Sequence, residues 1–184
     1  EVAAEYIKKE HDQPYFMWLN PINPHDICYM AIQKRTFESP MKEEGRNYQH
    51  ENRLAEEALA EALKLPDGVS EEEFFSTYAP PLPPNFEPQE DEPQAIKKLL
   101  KQRPFRMWAR KNYNEKDWRF HRWAYSRLTE RVDKQVQAII NAVKESEQEK
   151  NTLIIFSSDH GDMDGAHRME HKTVFYEEAA NIPF

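Results

Sequence analysis

Thr152-Leu153-Ile154-Ile155-Phe156-Ser157-Ser158-Asp159-His160-Gly161-Asp162 is the stretch on which the reading of this chain turns. An uncharged apolar run gives way at once to acids, a histidine and a glycine. Leu153 to Phe156 has the length, the branched and aromatic content and the polar boundaries of a buried β-strand, and is too short for a helix. In open α/β sheets, ligands bind in the crevice beyond the carboxyl ends of the strands. Asp159, His160 and Asp162 would be delivered there. The loop continues through Gly165 and His167 to Glu170, His171 and Lys172. Gly161 and Gly165 are two of only four glycines, and three of the seven histidines lie between positions 160 and 171. Backbone freedom and metal-ligating chemistry are therefore concentrated in one place.

Working outward, the spacing of Trp118, His121, Tyr125, Leu128, Val132, Val136, Ile139, Ile140 and Val143 predicts one long amphipathic helix from about Lys116 to Ser146. A helix followed directly by a buried strand is the αβ half of a crossover. Tyr15 to Leu19, after Pro14, reads as a second strand, and a parallel pairing of the two would be right-handed. Residues 1–10 look like the end of an amphipathic helix. Residues 23–49 read as irregular and polar. Leu54, Ala58, Leu59, Ala62 and Leu63 form a helical pattern stopped by Pro66-Asp67-Gly68, and Ser70 with Glu73 predicts a capping box. Six of the thirteen prolines lie between Pro80 and Pro93, which excludes a helix or a central strand there. With Tyr78, Leu82 and Phe86 beside them they predict a strap laid over the surface. The fold class expected is α/β, with parallel-type strands, packed helices and a long proline-rich excursion, all 184 residues belonging to one domain.

Composition narrows the partners. The net charge is −8 and the apolar fraction 39%. An acidic chain argues against nonspecific nucleic-acid binding and against anionic membrane surfaces. No apolar run reaches the length of a membrane span. A single cysteine excludes an internal disulfide framework. Trp108, Trp118, Trp123 and Tyr113 read as core and helix-contact residues in preference to a carbohydrate-stacking face.

The stretch from Thr152 to Phe184 resembles the sulfatase family of the alkaline-phosphatase superfamily. Asp159-His160-Gly161-Asp162 and Lys172, thirteen positions beyond Asp159, resemble the family's strand end and the lysine that follows it. Phe175-Tyr176-Glu177-Glu178-Ala179-Ala180-Asn181-Ile182-Pro183 is similar to the next family segment, with Asn181 in place of the usual basic residue. Pro14 to Asn20 followed by Ile22-Asn23-Pro24-His25 resembles the family strand that ends in Pro-His. Two family features are absent from the sequence. There is no Asp-Asp pair, and no Cys/Ser-x-Pro-x-Arg segment carrying the residue oxidised to formylglycine. Cys28, in Ile27-Cys28-Tyr29-Met30-Ala31, lacks both the proline and the arginine. The expectation is an internal part of a sulfatase-like enzyme, inactive by itself.

The resemblance implies a sulfuric ester hydrolase acting on a sulfated carbohydrate. Asp159 and His160 would be half of a divalent-metal site, with Ca²⁺ the usual family metal. From the residues alone, a carboxylate and an imidazole suit Mn²⁺ or Zn²⁺, or Ca²⁺ if enough oxygens join them. The competing reading is that Asp159 caps a turn and His160 is a surface residue. Lys172 and His25 would be catalytic: a fixed ammonium offsets charge building on sulfate and leaving-group oxygens, and a histidine near neutrality contacts sulfate or protonates the leaving alcohol. The bland alternatives are an exposed lysine and a turn histidine bonded to Asp26 or Asn23. His167 is a candidate for the substrate side. Asp162 reads as a brace for the loop backbone. His171 and His121 read as structural. Two other functions remain open: a phosphonate monoester hydrolase or phosphodiesterase of the same superfamily, and a noncatalytic α/β module.

Overall fold

A computed structural model describes residues 1–32, 53–102 and 104–183. Its axis is the helix Glu115–Glu145, 31 residues long, which spans about 46 Å at the usual rise. Asn114 and Asp117 start it with a reciprocal capping box, each side chain taking the other's backbone N–H at 3.0 Å. That satisfies two donors the first turn would otherwise leave unpaired. Lys144 in the last turn complements the helix dipole.

The two ends of this helix serve different cores. Near its start, Trp118, Ala124 and Leu128 pack with Ile27, Leu59 and Ala109. Near its end, Ala142 and Val143 pack with Ile7 of the helix Val2–Ile7. Between them Val132, Val136 and Ile139 are only half-buried. A further cluster joins Ile96 and Leu100 of the helix Gln94–Gln102 to Met163, Ala166 and Met169 of the loop and to Ala179 of the helix Glu177–Ala180. The helix Arg53–Ala62 buries Ala55, Ala58 and Leu59, while Leu54 lies 67% exposed, off the face to which its spacing assigned it. Ser70 Oγ accepts the Glu73 N–H at 3.2 Å and caps the turn that opens into a π-helix at Phe74–Tyr78.

The proline-rich segment after Tyr78 has no internal ladder, so its carbonyls need outside donors. Two arginines of the long helix supply them. Arg119 donates to the carbonyls of Phe75, Ala79 and Pro80, and Arg122 to that of Pro81. Phe86 lies edge-on to Trp118 with ring centroids 5.8 Å apart.

The α/β expectation is corrected by the structure. Every regular element among the described residues is helical, and no strand is formed. Leu153–Phe156 and Tyr15–Leu19 are extended but unladdered, and no backbone hydrogen bond joins either to another described segment. Their apolar side chains stand in solvent: Leu153 is 84% exposed, Ile155 70%, Phe16 86% and Trp18 73%. Local composition specifies an extended backbone, but a strand exists only with a partner across its hydrogen bonds, and neither segment finds one among the described residues. His25 likewise does not end a strand. It opens a short 3₁₀ turn, His25–Ile27, that runs into helix at residues 28–32. The rest of the stretch read as irregular, 33–49, lies outside the described residues.

Trp118 touches the core, the proline segment and the loop at once, and is 1% exposed. Trp118→Ala is expected to lower the unfolding free energy by about 3–5 kcal/mol in urea titration, the scale for emptying a buried aromatic site. Phe16→Ala is expected to change it by less than about 0.5 kcal/mol, because that ring contributes little burial.

Candidate functional site

The loop from Asp159 to Thr173 is held in a conformation it would not choose alone. Asp164, His167, Arg168 and Thr173 all have positive φ, and they are the only non-glycine residues among those described that do. Such backbone costs of order 1 kcal/mol or more per residue and persists only where surroundings over-determine it. Here they do. Asp162 accepts the Asp164 N–H at 3.1 Å. Arg122 Nε donates to Asp164 at 3.0 Å. The His167 N–H donates to the Asn85 carbonyl at 2.8 Å, and Arg168 pairs with Glu87 at 2.7 Å. Gly161 is fixed by close approach: its N–H donates to the Ala179 carbonyl at 2.9 Å, and a Cβ there would sit 2.0 Å from the Glu178 carbonyl oxygen. Only glycine fits.

At the end of this loop the structure brings together Lys172 and His25, 147 positions apart. Lys172 Nζ stands 2.9 Å from His25 Nδ1. An ammonium can only donate, so Nδ1 accepts and the neutral ring carries its proton on Nε2. Partial burial of the ring, then the Lys172 ammonium, hold the His25 pKa below its ordinary value. Asp26 and Asp162 act in the opposite direction, and the field of His160 also reaches this ring. The His171 ring meets His25 edge-on, centroids 5.9 Å apart. His171 is buried; desolvation and the nearby Arg106 keep it from charging, although Asp162 lies 3.7 Å from its Nδ1.

Behind Lys172 lies a buried polar layer. Arg106, from the helix Pro104–Asn112, donates to the Lys172 carbonyl at 3.0 Å and to Thr173 Oγ1 at 2.6 Å. Its Nε faces Glu170 Oε1 at 4.0 Å. Glu170 is fully buried, and neither carboxyl oxygen makes a hydrogen bond to a described residue. Burial pushes its pKa up to about 7, against the pull of His121, Arg106 and Lys172. His121 is also wholly buried. Desolvation opposes its charge, but Asp164 at 3.8 Å from Nδ1, with Glu170 and Asp162, brings its pKa above the usual value.

Asp159 and His160 sit at the exposed start of the loop. His160 Nδ1 donates to the Gly161 carbonyl at 2.7 Å, which leaves the Nε2 lone pair 3.3 Å from Asp159 Oδ2. As a donor set they fit a divalent cation in part, supplying two ligands. No group of three or more candidate ligands is assembled among the described residues. His167 is 8% exposed and stacks on Tyr176 with centroids 4.2 Å apart. Cys28 is buried, and burial together with Glu170 and Asp26 pushes its thiol up to about 12.

The sulfatase family model matches residues 1–184. The chain belongs to the sulfatase family. Among curated relatives, the Delta 4,5-hexuronate-2-O-sulfatase of Bacteroides thetaiotaomicron is 31% identical over 187 residues, covering all of this chain and 32% of that protein. The uncharacterised sulfatase YidJ of Escherichia coli is 38% identical over 65 residues, 35% of this chain and 13% of that protein. A solved 2-O GAG sulfatase superposes on 99% of this chain and 32% of its own length, with a TM-score of 0.70 at 24% identity. The fold is thus that of about a third of a sulfatase.

Arg106 had no signal in the sequence, while Glu170 and His171 were marked only as members of the loop and His171 was read as structural. Their part in the site comes from tertiary packing alone. Two measurements check the electrostatics. Cys28 is expected to resist Ellman's reagent and iodoacetamide near neutral pH until the chain is unfolded, because only the thiolate reacts; rapid labelling of folded protein would contradict the burial. Glu170, with its folded pKa raised from 4.5 toward 7, holds a proton in the folded state that the unfolded chain has released. Its contribution is present below about pH 4.5 and is lost as pH rises to about 7, by up to about 3 kcal/mol. Glu170→Gln should abolish that fall, seen as a smaller stability difference between pH 5 and pH 8 in denaturant titrations.

Proposed function

We propose that this chain carries the leaving-group side of a sulfuric ester hydrolase acting on a sulfated carbohydrate, with 2-O-sulfated hexuronates the first substrates to try. The observation that supports it is the Lys172–His25 pair, an ammonium donating to an imidazole Nδ1 at 2.9 Å across segments far separated in the chain. The likeness to the hexuronate 2-O-sulfatase over the whole chain suggests the sugar. The chain spans about a third of that relative's length, and residues 1–184 form part of one catalytic domain in this reading.

As the ester S–O bond breaks, negative charge builds on the oxygen that departs with the sugar. The His25 Nε2–H would offer that oxygen a directed hydrogen bond, and the Lys172 ammonium, on the opposite side of the ring, would offset charge on the sulfate oxygens. With its pKa held low, His25 stays neutral at pH 7. Its role is then to donate a hydrogen bond more than to hand over a proton. Asp159 Oδ2 and His160 Nε2 would contribute two ligands to a divalent cation, Ca²⁺ by the family resemblance, which when bound would polarise the sulfate. The remaining ligands and the nucleophile would come from outside the residues described. Cys28 does not fit that role, because it is buried and its thiol resists ionisation.

The test is an assay of the full-length polypeptide that carries this chain, on an unsaturated 2-O-sulfated disaccharide and on p-nitrophenyl sulfate, with a phosphonate monoester in parallel. Sulfate release is expected to dominate. Lys172→Ala and His25→Ala are each expected to cut kcat by roughly 10²-fold, the scale for one electrostatic or proton-donating group, and most on the poorer leaving group. The 184 residues alone are expected to give no turnover. Preferential cleavage of the phosphonate would move the protein to the other branch of the superfamily. Parental rates in both variants would remove the pair from the mechanism.

A further inference from the structure

We propose that Arg106 is a positioning residue of this site, setting where the Lys172 ammonium stands against His25 by clamping the backbone from which that side chain departs. The inference rests on the reading of Lys172 and His25 above and extends it to a residue on a different helix. A lysine side chain has many rotamers, and its four-carbon stem can aim Nζ only if the backbone beneath it is fixed. Here the backbone at that point is held in an unfavourable conformation. Thr173 has φ +78, a left-handed conformation unfavourable for a β-branched residue. The Lys172 carbonyl and the Thr173 hydroxyl both accept from Arg106 Nη1, at 3.0 and 2.6 Å. The Thr173 hydroxyl also lies against the Lys172 carbonyl, so the three groups close a small ring.

The clamp is itself held rigid. Arg106 is 8% exposed, on a helix distant in sequence from the loop, and its Nε side faces the buried Glu170 carboxyl at 4.0 Å. One guanidinium therefore spans the loop from Glu170 to Thr173, with Lys172 between. A planar, forked donor can do this; an ammonium, as a single point charge, can keep one of the bonds but not the whole span. The Arg106 charge also helps keep His171 neutral, the ring that meets His25 edge-on. Arg106 makes these contacts from behind the loop, while Lys172 Nζ is the group that reaches His25.

The experiment uses the full-length polypeptide and the variants Arg106→Gln, Arg106→Lys and Thr173→Val. The last alters an exposed side chain and leaves the buried Arg106–Glu170 contact in place. Arg106→Gln is expected to lower kcat by about 10- to 100-fold with KM changed by less than about threefold, the signature of a misplaced group. Arg106→Lys should recover part of the loss, and Thr173→Val should show a smaller fall of the same kind. The deciding measurement is the double variant Arg106→Gln/Lys172→Ala. If Arg106 acts through Lys172, its effect disappears once the ammonium is gone, and the double variant is no slower than Lys172→Ala alone. Multiplicative losses in the double variant would overturn the proposal, as would full activity in Thr173→Val and Arg106→Gln. A readout free of turnover separates this from the sulfatase reading. The His25 ring, followed by NMR, should titrate nearer its ordinary pKa in Thr173→Val and Arg106→Gln than in the parent, as the lysine moves away. An unchanged His25 titration would overturn the clamp even in an active enzyme. An inactive parent whose His25 responds as expected would overturn the reaction and keep the clamp.

Discussion

Irregular backbone must be hydrogen-bonded by something outside itself, and in this molecule the donors are guanidinium groups carried on helices. Arg119 and Arg122 of the long helix take the carbonyls of residues 75–81, and Arg106 takes that of Lys172. A carbonyl left without a donor where water cannot reach it would cost of order 1–3 kcal/mol, so these side chains help hold the proline segment and the loop on their course. The loop in turn carries four residues at positive φ. The helices supply rigidity and the arginines transmit it to segments that have none of their own.

Much of the helical frame was legible in the sequence. The long helix begins and ends within a residue of the limits set by its apolar spacing, and Asp162 accepts a backbone N–H inside its loop, as a brace would. Leu153–Phe156 and Tyr15–Leu19 show where local reading stops. Their composition asks for extended backbone, and extended backbone is what they adopt, but pairing is decided by residues elsewhere and cannot be read from the segment. The site divides in the same way. Asp159 and His160 are adjacent in the chain and adjacent in space. Lys172 and His25 were connected by family likeness alone, since nothing in spacing links positions 147 apart. Arg106 and Glu170 were invisible, because an arginine in one helix and a glutamate between Met169 and His171 look like ordinary surface charges until packing buries them.

The site also shows how charge is rationed around a lysine. With Lys172 and Arg106 both cationic, the neighbouring imidazoles of His25 and His171 have their pKa values lowered, and the buried Glu170, its own pKa pushed up to about 7, lies behind them. A second protonated ring beside Lys172 would add like-charge repulsion to the site. The acidic residues of the loop are turned to other tasks: Asp162 and Asp164 bind backbone, arginine and histidine within the loop itself.

The unladdered segment at Leu153–Phe156 has a consequence for handling the molecule. Thr152 to Ser158 is seven residues without a charge, a proline or a glycine, extended and with its apolar side chains in solvent. That is the composition of segments that zip copy to copy in cross-β assemblies. Lys150 and Asp159 flank it as the nearest gatekeepers, and neither breaks its centre. The 184-residue chain in solution would therefore be soluble only up to a concentration set by this edge. Overexpressed alone it would collect in inclusion bodies, and a charge placed at Ile154 would raise its yield without touching the loop that holds Lys172.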